Sequence, residues 1–454
     1  MVTEKLANFI ADARYEQMPP EVTIAVKRAM LDFFGVALAG ADAEGSRLIT
    51  GYVKEEGGNP EASVIAAGFK RSPSLAALAN GTIAHALDYD DCFNGFPIHP
   101  SVAIMPAVLA LGEKTGASGK KVIEAYAVGF EIACKVGSVV GLRQRELGWH
   151  NTATLGCLGA AAAASRLLDL KAGEVRMALG IAASLAGGLR QNFGTMTKPL
   201  HAGNAARNGI LAASLAGKGF TAYDGVLEAP LGFFKVLGMP KGRDLSEITE
   251  HLGSPYSVAS PGILFKLFPS CHGTHRGIDA ALRLRQETGV RAEDIVDIEC
   301  RTTATVPTSL FHHRPKTPTE ARFSMEYCVA RAIVDGQMGL AQFDEEKIQS
   351  ADVRELVGRV HYSHPEGIGE GPDQPQEVVM KLRDGSVYSR KVDVIKGEPE
   401  NPISWEELCI KYRDCAGRFL PAPEVDRLLE LVSNLETLDD ITPCIQVAAP
   451  QRQG

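Results

Sequence analysis

No C-x-x-C pair, no H-E-x-x-H or H-x-H pattern and no glycine-rich loop after a strand occurs in this chain of 454 residues. Without those cysteine and histidine spacings there is no zinc site that local sequence can announce, and without that loop no phosphate or dinucleotide fingerprint. The nine cysteines are odd in number and scattered, as expected of reduced thiols rather than a disulfide framework. Positive charge is not in excess. The formal net charge of −8 argues against nucleic acid or an anionic membrane as main partner. No uninterrupted apolar run reaches the roughly 18 residues of a membrane span. Residues 1–16 interleave Lys5 and Arg14 with Glu4, Asp12 and Glu16, so neither a signal-peptide core nor a transit peptide is expected, and a cytoplasmic location is.

The 45% hydrophobic and 22% charged residues are those of a globular protein, and the length calls for more than one core. Over about residues 1–265 the pattern is helical and rich in alanine and glycine. Residues 119–136 are apolar nearly all round, with Lys121, Glu124, Glu131 and Lys135 forming one polar stripe, which predicts a largely buried helix in a bundle. Five consecutive alanines, Ala160 to Ala164, permit close helix–helix approach within 155–168, and 175–189 and 204–216 continue in the same style. After about Phe265 the periodicity changes. Val296, Ile298, Cys300 and Thr302 alternate with Asp297, Glu299 and Arg301, as in a half-buried strand. Residues 378–382 and 387–394 flank Asp384-Gly385, a hairpin signal. Residues 320–334 predict a helix, 396–402 a linker, and the apolar spacing of Leu428, Leu431, Val432 and Leu435 a return to helix. The expected fold is mostly α: a helical domain from 1–265 and 397–454, interrupted by a smaller α+β lid at 266–396, with a ligand cleft between them.

The densest chemistry lies at 84–100. Ala84-His85-Ala86-Leu87-Asp88-Tyr89-Asp90-Asp91 crowds three carboxylates and a histidine into eight residues, and His99-Pro100 follows a short loop. On a helical end His85, Asp88 and Asp91 would share one face, and carboxylates that close push at least one pKa from its usual value. Such a set suits proton transfer, and equally a solvated, Asp-rich helix end. Gly148-Trp149-His150-Asn151-Thr152 sets His150 at a helix N-terminus, where the dipole favours neutral imidazole or a bound anion; packing beside Trp149 is the plainer alternative. Gly194, Pro199 and Gly203 predict a structured loop presenting Lys198 and His201. Residues 268–276 carry Cys271, His272, His275 and Arg276, and Tyr327 by itself reads as a helix-core aromatic.

Taken together, AHALDYDD with HP at 84–100, GWHNTATLG at 148–156, NFGTMTKPLHAGNAARNG at 192–209, FPSCHGTH at 268–275 and EARFSMEY at 320–327 resemble, in order and over essentially the whole chain, the MmgE/PrpD family. The resemblance implies a helical domain with a smaller α+β lid, a homodimer, and neither metal nor organic cofactor. It puts Asp88, His99, His150, Lys198, His275 and Tyr327 in the catalytic centre, with Lys198, His201, Arg276 and Cys92 contacting substrate. It implies small di- or tricarboxylate substrates such as cis-aconitate, 2-methylcitrate or iminodisuccinate. Cys92 stands where the decarboxylase branch has threonine, and the lysine of TMTKP is closer to the decarboxylase and epimerase branches.

These substrates react at the carbon α to a carboxylate. That carbon is a weak acid, so the enolate-like charge needs cations and donors beside it. Lys198, with a histidine and Arg276, would hold the charge; His99 or His150 would move the proton; Asp88 would orient its histidine. Decarboxylation, dehydration and epimerisation differ in what leaves and where a proton returns, and these residues do not choose among them. A metal-dependent hydro-lyase would need ligands the sequence does not display. A non-catalytic helical ligand-binding scaffold would leave Asp88, His99 and Lys198 without a task.

Overall fold

The structure, a computed structural model, describes residues 1–93, 95–369 and 374–450. Helices α1 (Val2–Asp12), α2 (Pro20–Gly40), α3 (Glu44–Glu56), α4 (Pro73–Ala84), α5 (Pro100–Thr115), α6 (Gly119–Glu146), α7 (Asn151–Leu167), α8 (Ala172–Leu185) and α9 (Thr197–Ala216) build the larger part of the molecule. Their ends follow local chemistry. Pro73 and Pro100 open α4 and α5, Ser118 accepts from the Lys121 N–H to cap α6, and Gly116 closes α5 with φ 64°.

Small residues set how closely α4, α5, α6, α7 and α9 pack. A Cβ on Gly203 of α9 would lie 2.0 Å from the Leu78 carbonyl of α4, and one on Gly129 of α6 would lie 2.6 Å from the Gly159 carbonyl of α7. The alanine run of α7 is buried throughout. Helix α6 is apolar and long enough, by composition, to pass for a membrane span, but 83% of its most apolar window is buried inside the protein. Leu408, Tyr412, Leu428, Val432 and Ile441 join this same core from the C-terminal helices.

A second core gathers Ile278, Leu284, Ile298, Cys300, Val329 and Met380, with Phe193 reaching into it from the helical part. Two two-residue strands, β1 (Ala62–Ser63) and β2 (Lys70–Arg71), pair in the helical part. The second core lies under a sheet of β3 (Ile295–Arg301), β4 (Val360–Ser363), β5 (Gln376–Leu382) and β6 (Val387–Val392), in the order β4-β3-β5-β6. Strands β3 and β4 run parallel and the other pairs antiparallel. Gly385, at φ 89°, turns β5 into β6 as the Asp-Gly pair predicts. A register shift between Ile295 and Asp297 turns Val296 outward, breaking the expected alternation at the start of β3. The fold is thus mostly α with a small sheet domain.

Two local expectations change. Helix α9 begins at Thr197, so Lys198 stands in its first turn and not on a loop; Pro199 is tolerated there because a first-turn residue has no intrahelical N–H bond to lose. The helix expected over 320–334 breaks at Arg322–Ser324, where the Ser324 hydroxyl caps a new helix at Met325. The expected linker is also more than a connection, because it buries Glu398.

Candidate active site

Three helix N-termini converge on one pocket between the two cores. His99 is the N-cap of α5, His150 the N-cap of α7, and Lys198 lies in the first turn of α9. All three line the pocket, together with Asp88 and Cys92. Positive helix ends aimed at one space favour an anion there and disfavour imidazolium.

Helix α4 stops at Ala84, and the chain then turns through Asp88 at φ 50°, a left-handed conformation uncommon for a residue with a side chain. This turn separates the three acids. Asp88 and Asp90 face the site, while Asp91 reverses into the body, where it accepts from the Ser101 hydroxyl. The expected shared face of His85, Asp88 and Asp91 therefore does not form. Burial, reinforced by Asp32, pushes the Asp91 carboxyl well up.

Asp88 sits between two ammonium groups: Lys198 Nζ is 3.0 Å from Oδ2, and Lys266 Nζ bonds Oδ1 and, at 2.8 Å, the Asp88 carbonyl. Burial alone would raise the Asp88 pKa, but the two lysines pull it well below the usual carboxylate range. Asp90 holds two histidines. Its Oδ1 is 2.9 Å from His85 Nδ1, and its Oδ2 is 2.9 Å from His99 Nδ1, which also lies 3.1 Å from the Asp91 carbonyl. With acceptor oxygens at hydrogen-bond distance, both Nδ1 atoms carry the proton, which leaves each Nε2 a lone pair. Lys198 donates to that of His85 at 2.8 Å; that of His99 lies 3.7 Å from Asp88 Oδ1. Against burial, the two histidines pull Asp90 well below its ordinary pKa. Asp90 hydrogen-bonds His85 and lies against His99 Nδ1, whose hydrogen bond goes to the Asp91 carbonyl, and Asp88, the expected partner of His99, instead fixes the lysines.

His85, His99, His150 and His201 are all shifted toward the neutral form. Burial, aided by Lys198 and Lys266, lowers His99 to about 3. Burial and Lys198 lower His150 well below its ordinary value, and His201, 3.1 Å from it through the paired Nδ1 atoms, falls to about 4. His85 is lowered by burial against the pull of Asp90. Since these folded pKa values lie below the ordinary 6.5, the unfolded chain binds more protons at acid pH. The stabilising contribution is complete above about 6.5 and is lost as pH falls toward the folded values. The thermal midpoint should drop by several degrees between about pH 7 and about pH 5. A midpoint that is flat across that window would refute the neutral cluster.

The ligand atoms of His85, Asp88, Asp90 and His99 lie within 4.8 Å of one another, a spacing that could in principle hold a metal ion. Lys198 and Lys266 already take both oxygens of Asp88, and a divalent ion would stand against their two ammonium groups. Two aspartates and two lysines balance in charge, so these residues do not fit a resident metal.

The other expected residues are placed as follows. Cys92 lies on the wall with its thiol 3.6 Å from His99 Nδ1, and burial pushes its pKa well up, the state of an inert thiol. His201 stands behind His150 and steers its ring. His275, Arg276 and Tyr327 lie outside the wall. His275 packs on Phe268 with Nε2 3.3 Å from the Ser270 carbonyl, and His272 lines the pocket in its place. The Arg276 guanidinium is 2.6 Å from Glu398, whose carboxylate neutralises it. Tyr327 is in the second core, its hydroxyl bonded to the Gln342 carbonyl. Sequence reasoning did not single out Lys266, Asp90 as the shared acceptor, or Arg145 and Arg190, which line the pocket. Lys266 had a local signal, a lone cation within the apolar run Ile263-Leu264-Phe265-Lys266-Leu267-Phe268.

Fixed cations, ionised carboxylates and neutral imidazoles in a buried pocket are the equipment for making or breaking a bond beside a carboxylate, the work of a lyase. The chain belongs to the MmgE/PrpD family: the family's N-terminal domain matches residues 4–246 and its C-terminal domain residues 268–437. It is similar to cis-aconitate decarboxylase of Mus musculus, 31% identical over 459 residues that cover 97% of this chain and 91% of that protein. The cis-aconitate decarboxylase of Homo sapiens is also 31% identical, over 97% and 92% of the two chains. That of Aspergillus terreus is 29% identical over 98% and 95%.

Proposed function

We propose that the protein decarboxylates cis-aconitate or a closely similar small tricarboxylate, with no cofactor. One observation carries the reading: Lys198, tied to Asp88 and His85, and His99, tied to Asp90, face the same pocket. A cation for the substrate's charge and an imidazole for its proton thus meet at one place. The similarity to decarboxylases over nearly the full length of the chain supports the same reading.

The carboxylate on the methylene carbon leaves as carbon dioxide. Its bonding pair forms a new double bond to the central carbon, and the electrons of the old double bond move to the carbon α to another carboxylate. That carbon takes one proton, giving an unsaturated dicarboxylate. Lys198 holds the carboxylate into which the negative charge spreads. His99, neutral in the empty pocket, gains proton affinity when the trianion offsets Lys198 and Lys266, takes a proton from solvent on Nε2, and then delivers it to that carbon. Asp90 keeps the opposite proton on Nδ1 and steadies the imidazolium.

Incubation with cis-aconitate in deuterium oxide, followed by NMR, tests this. The expected product carries a terminal methylene group and one deuterium on the saturated carbon between the double bond and its carboxylate, with release of carbon dioxide. Exchange of deuterium into iminodisuccinate without net conversion would favour the epimerase reading. Loss of water from 2-methylcitrate, with no turnover of cis-aconitate, would favour a dehydratase.

A further inference from the structure

The turn that carries Asp88, Asp90 and Asp91 is gripped on consecutive carbonyls by two buried ammonium groups. Lys266 Nζ donates to the Asp88 carbonyl at 2.8 Å, and Lys411 Nζ donates to the next one, that of Tyr89, also at 2.8 Å. Lys411 comes from the C-terminal helix Trp405–Ala416, 322 residues further along the chain. Its ammonium group also lies 2.6 Å from Asp32 Oδ1 of α2 and 4.0 Å from the centre of the Tyr89 ring. Both Lys411 and Asp32 are buried, and Lys411 stands behind the pocket wall rather than on it.

The Tyr89 carbonyl belongs to the peptide that leads into Asp90. Asp88, just before it, has φ 50°, a conformation disfavoured for a residue with a side chain, so the turn needs support from outside. Rotation of the Tyr89–Asp90 peptide would swing the Asp90 carboxylate, which hydrogen-bonds His85 and lies 2.9 Å from His99 Nδ1. It would also move the Asp91 carbonyl, which accepts from His99. The other ties of the turn act elsewhere. The Tyr89 hydroxyl donates to the Leu267 carbonyl at 3.2 Å, and Cys92 exchanges backbone hydrogen bonds of 2.9 Å with Leu264. Those contacts fix a ring and the end of the turn; Lys411 fixes the peptide between them.

We propose that Lys411 is a positioning residue for the reaction: through the Tyr89 carbonyl it fixes the turn that sets Asp90 and Asp91 against His85 and His99. Asp32 has a different task. It supplies the opposite charge that lets an ammonium group be buried there. The proposal rests on reading this histidine–aspartate unit as the proton-transfer machinery of a decarboxylase, and it gives the returning C-terminal helix a part in the site.

Three variants separate positioning from the burial of an ion pair: Asp32→Asn, Lys411→Met and the two combined. Lys411→Met strands Asp32 as an unpaired buried acid and should melt lowest, while the double variant removes both charges and should melt closer to wild type. With cis-aconitate, Lys411→Met and the double variant should each lose roughly 10- to 100-fold in kcat with KM within about threefold, the cost of misplacing a catalytic group by about 1 Å. Asp32→Asn should keep kcat within about threefold, because the bond from Lys411 to the Tyr89 carbonyl remains. A double variant that recovers kcat together with its melting point would make Lys411 a structural cation and overturn the proposal. So would an Asp32→Asn loss as large as that of Lys411→Met. A second readout needs no substrate: ring ¹³C and ¹⁵N shifts of labelled histidine, assigned against His99→Ala. Wild type should hold the His99 proton on Nδ1, and the double variant should show mixed tautomers. An unchanged His99 tautomer in the double variant also overturns the proposal. A changed tautomer in a protein that does not turn over cis-aconitate would leave the role of Lys411 standing and remove the decarboxylase reading instead.

Discussion

Lys198→Ala is expected to lower kcat/KM for cis-aconitate roughly 10²- to 10³-fold, with most of the loss in kcat, the size of effect seen when one preorganised donor to a developing anion is removed. Lys198 is buried, only 3% exposed, and its ammonium group is fixed by Asp88 and by His85 Nε2. Water therefore does not screen its charge, and no reorganisation is needed as the substrate's charge moves toward it. The variant should fold. Asp88 keeps Lys266 on its other oxygen and so is not stranded as an unpaired buried charge, the circumstance that makes breaking such a pair costly. Steady-state kinetics beside a thermal melt separates the two roles. A kcat within about fivefold of wild type would show that Lys198 does not hold the transition-state charge. Loss of activity that simply follows loss of the folded state would make it a structural cation.

The parts of this molecule that local sequence specifies were readable in advance. The Asp-Gly hairpin, the alanine faces and the polar stripe of α6 depend on residues close together in the chain, and each appears in the structure with small changes in its ends. The site was legible to the extent that its residues cluster in sequence: Asp88, His99, His150 and Lys198 each stand in a dense local motif. What those groups do to one another was not legible, because it depends on a backbone angle. Asp88 in the left-handed region turns the next two acids to opposite sides, so Asp90 faces the histidines and Asp91 faces Ser101. Regular helical spacing predicts the opposite sorting. Arg145 and Arg190 were invisible for another reason. Each reads as an ordinary basic residue near a helix end, and only the packing of α6 against the segment before Phe193, with Ser309 across the cleft, gives them a common target. Arg276 shows the converse: its motif is suggestive, but Glu398, more than a hundred residues away in sequence, neutralises it.

The carboxylate that orients the proton-carrying histidine is Asp90, and this yields a prediction that separates it from Asp88. Asp90→Asn should reduce kcat by roughly 10²- to 10⁴-fold, because an amide can present its NH₂ group to the imidazole and select the wrong tautomer. His99→Ala should fall in the same range, and the double variant should be little worse than the worse single one, since both changes disable one unit. Asp88→Asn acts through a different unit, the two lysines that flank its carboxylate. Its effect should therefore multiply with that of His99→Ala while failing to multiply with that of Lys198→Ala. The Asp90 and Asp88 cycles with His99→Ala use the same variant and the same substrate, so a general loss of stability cannot imitate the difference between them. If the Asp90 and His99 effects multiply as independent losses, Asp90 does not act through His99. His150, the other neutral imidazole on the pocket wall, then becomes the proton carrier, with His201 as the group that sets its tautomer.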